Sequence, residues 1–144
     1  MLNIGLIALG SGGLAQVVKM VLGSLRGRRL RWALLFANGG MPSSHTAVVV
    51  ALSCLVGQRE GVASPLFSLT AIFSLYVIFE ATGLRQEVGK QAELLNELID
   101  ELAAGRRPDQ RRLKELLGHT WQEVAGGLLF GLIAAEVVWR WRTG

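Results

Sequence analysis

Four apolar blocks, at 2–21, 41–56, 65–79 and 124–139, are separated by connections that hold most of the charge. Half of the residues are hydrophobic (51%) and 18% are charged, so composition alone fits several classes of protein. The segregation of the two populations narrows the choice. A membrane-spanning helix needs roughly 17–25 mostly apolar residues, so the blocks predict about four transmembrane helices, the second and fourth at the short end. The fold expected is all-α: one membrane-embedded helical bundle over 1–144, with one or two cytoplasmic amphipathic helices inserted at about 86–117. So few short helices bury little surface, and a homodimer is expected.

The first block lacks a basic start and a small-residue cleavage site, and it carries Gln16 and Lys19 late, so it reads as retained rather than as a signal peptide. Cys54, the single cysteine, reads as a small buried hydrophobe and offers no disulfide within one chain. A net charge of +4 suggests a polyanion, but no basic face is interleaved with aromatic residues, so nucleic acid is not the expected partner. A membrane surface accounts for the charge better. Arg26, Arg28, Arg29 and Arg31 lie between the first and second blocks, and Arg59 alone between the second and third. Between the third and fourth lie Arg85, Lys90, Arg106, Arg107, Arg111, Arg112 and Lys114. By the positive-inside rule the first and third connections are cytoplasmic and both termini lie outside, a bias that Arg140 and Arg142 oppose. The chain is thus expected in the cell membrane as a multi-pass protein.

The stretch 39–52, Gly-Gly-Met-Pro-Ser-Ser-His-Thr-Ala-Val-Val-Val-Ala-Leu, is a polar turn that becomes an apolar helix. Gly39 and Gly40 let the backbone bend, and Pro42 suits the first turn of a helix because its missing N–H has no intrahelical partner there. The N–H groups of Ser43, Ser44 and His45 are then expected to point out of a helix N-terminus as an anion site, most plainly for phosphate.

Other polar residues cluster on the same side. Lys19, one turn inside the first span, either snorkels to the headgroups or faces the bundle and meets an anion. Arg26 follows two turns later, on nearly the same face of a continuing helix. Arg28, Arg29, Arg31 and Trp32 read as an interfacial anchor, serving orientation alone or capture of anionic lipid. Glu80, near the end of the third block, is an intramembrane carboxylate that either positions a basic group or ligand or pairs with Arg85. From 86 to 104, Val88, Ala92, Leu95, Ile99 and Leu102 form one face of an amphipathic helix, and a short helix at 109–117 follows.

The last motif, 117–127, is Leu-Gly-His-Thr-Trp-Gln-Glu-Val-Ala-Gly-Gly. His119 and Glu123 are four apart, so on a helix the carboxylate can hold the imidazole and leave its other nitrogen as a nucleophile or base. Gly127 and Gly131 read as a small-residue packing face. Both His45 and His119 begin apolar helices that enter the membrane from the same predicted side.

Met-Pro-Ser-Ser-His-Thr-Ala, then Glu-Ala-Thr-Gly-Leu-Arg with Gly89-Lys90-Gln91-Ala92 and Leu95-Asn96, then Leu-Gly-His-Thr before Glu123, together resemble the divergent branch of the type 2 phosphatidic acid phosphatase and haloperoxidase superfamily. The resemblance covers nearly the whole chain. Lys19 and Arg26 match the superfamily's first motif in spacing, with Gly27 in place of proline. Pro42, Ser43 and His45 match its second motif, with Ser44 in place of glycine, and His119 matches its third, with Glu123 in place of aspartate. The resemblance implies that His119 attacks phosphorus, Glu123 orients it, His45 protonates the leaving alcohol, and Lys19, Arg26 and Ser43 hold phosphate oxygens. It implies neither metal nor other cofactor. Leu113 stands where the superfamily's third motif carries arginine, so either Arg112, one residue off register, or Arg85 from another helix takes that role. The divergent branch usually has aspartate where Glu80 stands.

Two functions follow. The first is a lipid-phosphate phosphatase acting on a phosphomonoester or pyrophosphate at the cytoplasmic interface. The second is a non-catalytic protein that binds anionic lipid or a membrane-protein partner through its acidic amphipathic helix. A vanadate-dependent peroxidase ranks behind both, because a short membrane bundle suits that soluble chemistry poorly.

Overall fold

The computed structural model describes residues 3–29, 32–35, 40–102 and 119–143, without the side chains of 26, 84–86, 101–102 and 142–143. Five α-helices and one 3-10 turn make up the described chain: α1 (Ile4–Gly27), the turn Trp32–Leu35, α2 (Ser44–Glu60), α3 (Pro65–Thr82), α4 (Leu84–Leu102) and α5 (Trp121–Thr143). Three stretches among the described residues are long and apolar enough to cross a membrane: Ile4–Leu25, Trp121–Trp141, and one that begins at Pro65. The protein is therefore an all-helical membrane bundle.

The expected second span, α2, is not one of the three, because it has only 17 residues and closes on Gln58, Arg59 and Glu60. It is instead the centre of the bundle, packed against α1, α3 and α5. Thr46, Ala47, Val49, Ala51, Leu55 and Val56 are all buried, so α2 is covered by its neighbours on most of its sides. Leu6, Leu9, Leu69, Ile72, Phe79, Leu129 and Ile133 on the surrounding helices point outward, as hydrocarbon solvent permits.

Small residues set how closely the helices approach. A Cβ on Gly12 would collide with Val48, and one on Gly131 would lie 2.8 Å from the Ala47 carbonyl oxygen, so α1 and α5 both meet the α2 backbone at glycine. The Ser74 hydroxyl donates to the Val49 carbonyl at 3.0 Å and lies 2.8 Å from Ser53 Oγ, which ties α3 to α2. At the far end Gln58 Nε2 donates to Glu136 at 3.3 Å, linking α2 to α5.

Two further sequence expectations are corrected here. α2 begins at Ser44 with Ser43 as its N-cap, so Pro42 precedes the cap and does not occupy the first turn. A serine hydroxyl capping the Thr46 N–H outweighs the preference of proline for that turn. The buried side of α4 runs through Gly89, Ala92 and Asn96, while Val88 and Leu95 are exposed. Of the expected apolar face, Ala92 is buried and Ile99 half-buried; small residues, which allow close approach, define the buried side instead. The helix that carries Lys19 does continue past Arg26: α1 runs through Gly27, and Arg28 takes the left-handed cap conformation (φ 49°). The expected helix at 109–117, and Arg31, lie outside the described residues.

Candidate active site

The C-terminal ends of α1 and α3 and the N-terminal ends of α2 and α5 meet at one end of the bundle. The turn into α2 is built from Gly40, whose φ of 88° is a conformation glycine adopts without strain, followed by a cis Met41–Pro42 bond and the cap Ser43. Ser43 is fully buried. Its Oγ accepts from the Thr46 N–H at 3.4 Å and from the Thr46 hydroxyl at 3.1 Å. Its backbone N–H donates to the Glu123 carbonyl oxygen at 3.1 Å. This corrects the expectation that the Ser43 N–H points toward an anion: close packing of α5 takes it up. The amides of Ser44 and His45 remain first-turn N–H groups.

On the other side, the His119 N–H donates to the Ala81 carbonyl at 2.9 Å, so the end of α3 holds the residue that precedes α5. Thr120 then caps α5. Its Oγ1 accepts from the Glu123 N–H at 3.3 Å, and Glu123 Oε2 accepts from the Thr120 N–H at 3.2 Å. This reciprocal capping box fixes the carboxylate. The same Oε2 lies 3.0 Å from His119 Nδ1. An imidazole whose Nδ1–H donates to a carboxylate keeps its Nε2 lone pair, and that Nε2 faces His45 Nδ1 at 3.5 Å. The ring centroids are 5.7 Å apart. His119 is 2% exposed, whereas His45 is half-buried.

Lys19 is 5% exposed, which decides between the two readings: its side chain faces the bundle. A Cβ on Gly40 would lie 3.3 Å from Lys19 Cδ, so the turn into α2 packs on the lysine stem, and the ammonium is within electrostatic reach of Glu123. Lys19, Ser43, Ser44, His45, His119 and Glu123 are thus brought to one end of the bundle. Glu80 is half-buried one residue before Ala81. Arg112 lies outside the described residues, as do the side chains of Arg26 and Arg85. Sequence reasoning did not single out Thr120, although Thr-x-x-Glu ahead of an apolar run is the signature of a capping box. It also left Gln16 without a role, and no sequence pattern distinguishes that residue.

Apolar helices around a buried histidine–carboxylate pair, with a second imidazole and a lysine alongside, define an integral membrane protein with a polar site set into one end of its bundle. The chain belongs to the Divergent PAP2 family, whose model matches residues 3–134. It is also 40% identical over 135 residues to the uncharacterized membrane protein YuiD of Bacillus subtilis (strain 168), an alignment covering 86% of this chain and 85% of that one. No solved structure matches it significantly.

Proposed function

We propose that the protein is a lipid-phosphate phosphatase that hydrolyses a phosphomonoester or pyrophosphate through a phosphohistidine, with its site on the cytoplasmic side of the membrane. The observation that carries this reading is the orientation of His119: Nδ1 is held by Glu123 and Nε2 faces a second imidazole. In the first step His119 Nε2 attacks phosphorus, the bond from phosphorus to the lipid oxygen breaks, and protonated His45 gives its proton to that oxygen. In the second, His45 takes a proton from water as the water oxygen attacks the phosphohistidine. Orthophosphate leaves and His119 is restored. Lys19 and the Ser44 amide, with Arg26, Arg85 or Arg112, would bind the equatorial oxygens and stabilise the charge that builds there.

Phosphorus in line between nucleophile and leaving oxygen needs more room than the 3.5 Å now separating the imidazoles. The half-buried His45 is the ring that would swing aside as the phosphate enters. Membership of the family and the buried cation at Lys19 support the reading further.

The test is phosphate release by purified protein in detergent from a panel of lipid phosphates, with His119→Ala as the matched control. Release that vanishes in a folded His119→Ala variant is expected. Equal release by both excludes His119 as nucleophile, and no release from any lipid by folded wild-type protein rejects the phosphatase.

A further inference from the structure

Between α1, α2 and α3 runs a cavity of about 400 Å³, and its lining separates into an apolar length and a polar end. Val48, Phe73 and Val77 line the apolar length, and His45 and Gln16 stand at the polar end. Leu9 and Phe73 are exposed at the rim, so the cavity opens sideways, toward what surrounds the bundle. From Gln16 back to Leu9 it follows α1 for roughly 10 Å, at about 1.5 Å of rise per residue. Its volume lies within the roughly 300–1,000 Å³ typical of small-molecule sites.

Two features mark it as a site rather than a packing defect. A Cβ on Gly13, which lines the groove, would meet nothing within 4 Å, so the groove stays open where a side chain would otherwise stand. And Gln16 Oε1 is buried with no hydrogen-bond partner among the described residues, an arrangement that is disfavoured unless something donates to it.

We infer that this groove is the binding slot for a single hydrocarbon chain of a phosphate-bearing lipid, and that Gln16 accepts a hydrogen bond from a hydroxyl at the chain's polar junction. The inference deepens the phosphatase reading and rests on it for the identity of the head group. At membrane depth hydrocarbon is the occupant available to an apolar, laterally open groove. His45 at the polar end sets the head group beside the imidazoles, and Gln16, one helical turn from Lys19, meets the linkage between chain and phosphate. A lipid with a free hydroxyl there satisfies the orphaned acceptor; an alkyl phosphate does not.

The experiment uses the full chain in phosphatidylcholine nanodiscs and three photoreactive probes with the same diazirine-bearing chain. One has a glycerol phosphate head with a free hydroxyl, one a bare phosphate, and one a methyl ether with neither phosphate nor hydroxyl. Labelled residues are located by mass spectrometry. The hydroxyl-bearing phosphate is expected to label the groove strongly, around Leu9, Val48 and Phe73. Gly13→Phe should cut that labelling at least tenfold, and Gln16→Leu should reduce it to the level of the bare phosphate. Gly13→Leu repeats the first test should the phenylalanine variant prove misfolded by circular dichroism.

Labelling spread over the outward side of α3, at Leu69, Ile72 and Tyr76, and indifferent to Gly13→Phe overturns the slot. So does labelling by the ether that equals the phosphate's and is not displaced by it, since that marks bulk lipid. A Gln16→Leu protein that still prefers the hydroxyl overturns the role of Gln16. Groove labelling by wild-type protein that releases no phosphate from any lipid rejects the phosphatase and leaves the slot standing.

Discussion

The Ser43 backbone N–H donates to the Glu123 carbonyl oxygen across 3.1 Å, fastening the turn that leads into His45 to the helix whose carboxylate holds His119. The two halves of the site are therefore one mechanical unit, and the helices meet there at glycine. A Cβ on Gly127 would lie 2.5 Å from the Ser43 carbonyl oxygen and 2.8 Å from Thr46 Cβ. Gly127→Val should lower stability by about 1–3 kcal/mol, as overpacking does, and reduce phosphate release by parting α2 from α5. Gly10→Ala, whose Cβ meets open space, should not destabilise. Thermal unfolding of both variants in detergent, followed by tryptophan fluorescence, checks this.

Glu123 does two jobs with one oxygen, capping α5 and holding His119, and substitution separates them. Glu123→Gln keeps an acceptor for both contacts and removes the charge. It should leave the unfolding midpoint nearly unchanged while phosphate release falls by about 10²–10⁴-fold, the range associated with acid–base groups. Thr120→Ala should do the reverse in emphasis, costing about 0.5–2 kcal/mol of stability through the lost cap. Unfolding and turnover measured on both proteins decide it.

A cation as buried as Lys19 is expensive unless an anion answers it. Lys19→Met keeps the apolar stem that packs on Gly40 and removes the charge, so the protein should remain folded. Inhibition by orthophosphate or vanadate should weaken by about 10–100-fold, the equivalent of one hydrogen bond to a charged group. Gly40→Ala should instead destabilise by about 1–3 kcal/mol, because its φ of 88° suits glycine and the added carbon meets the lysine stem. Inhibition constants for the first variant and unfolding midpoints for both are the readouts.

Lys90 is exposed on α4, which places it well for a topology test. With Cys54 replaced by alanine, Lys90→Cys should react with a membrane-impermeant maleimide only after cells are opened. Reaction on intact cells would put the site on the outer side.

Much of this was legible from residue order. Two histidines at the heads of apolar helices on the same predicted side already imply that they can meet, and the His119–Glu123 spacing already implies a contact. What residue order hides is competition for the same atoms. Ser43 carries a hydroxyl and an amide that either an anion or the protein can use; as the cap of α2 its hydroxyl oxygen is taken up by Thr46, and the close approach of α5 at Gly127 takes up the amide. The buried side of α4 is hidden for a related reason. Hydrophobicity points to Val88 and Leu95, whereas Gly89, Ala92 and Asn96 are the buried positions. Gln16 was invisible, because an unanswered acceptor has no sequence signature.

The length of α2 carries one more consequence. Seventeen residues reach roughly 25 Å at about 1.5 Å each, short of the ~30 Å hydrocarbon layer. Its charged end at Arg59 and Glu60 belongs with headgroups, so the shortfall falls at the His45 end. There α1 runs on from Lys19 to Gly27, roughly 12 Å further at the same rise per residue, so the imidazoles lie below its end. On the phosphatase reading, a reaction at that depth would favour amphiphilic substrates. A tail bonded to the phosphate draws it inward and holds it there, whereas a soluble phosphate reaches the same groups only from the water above and without that hold.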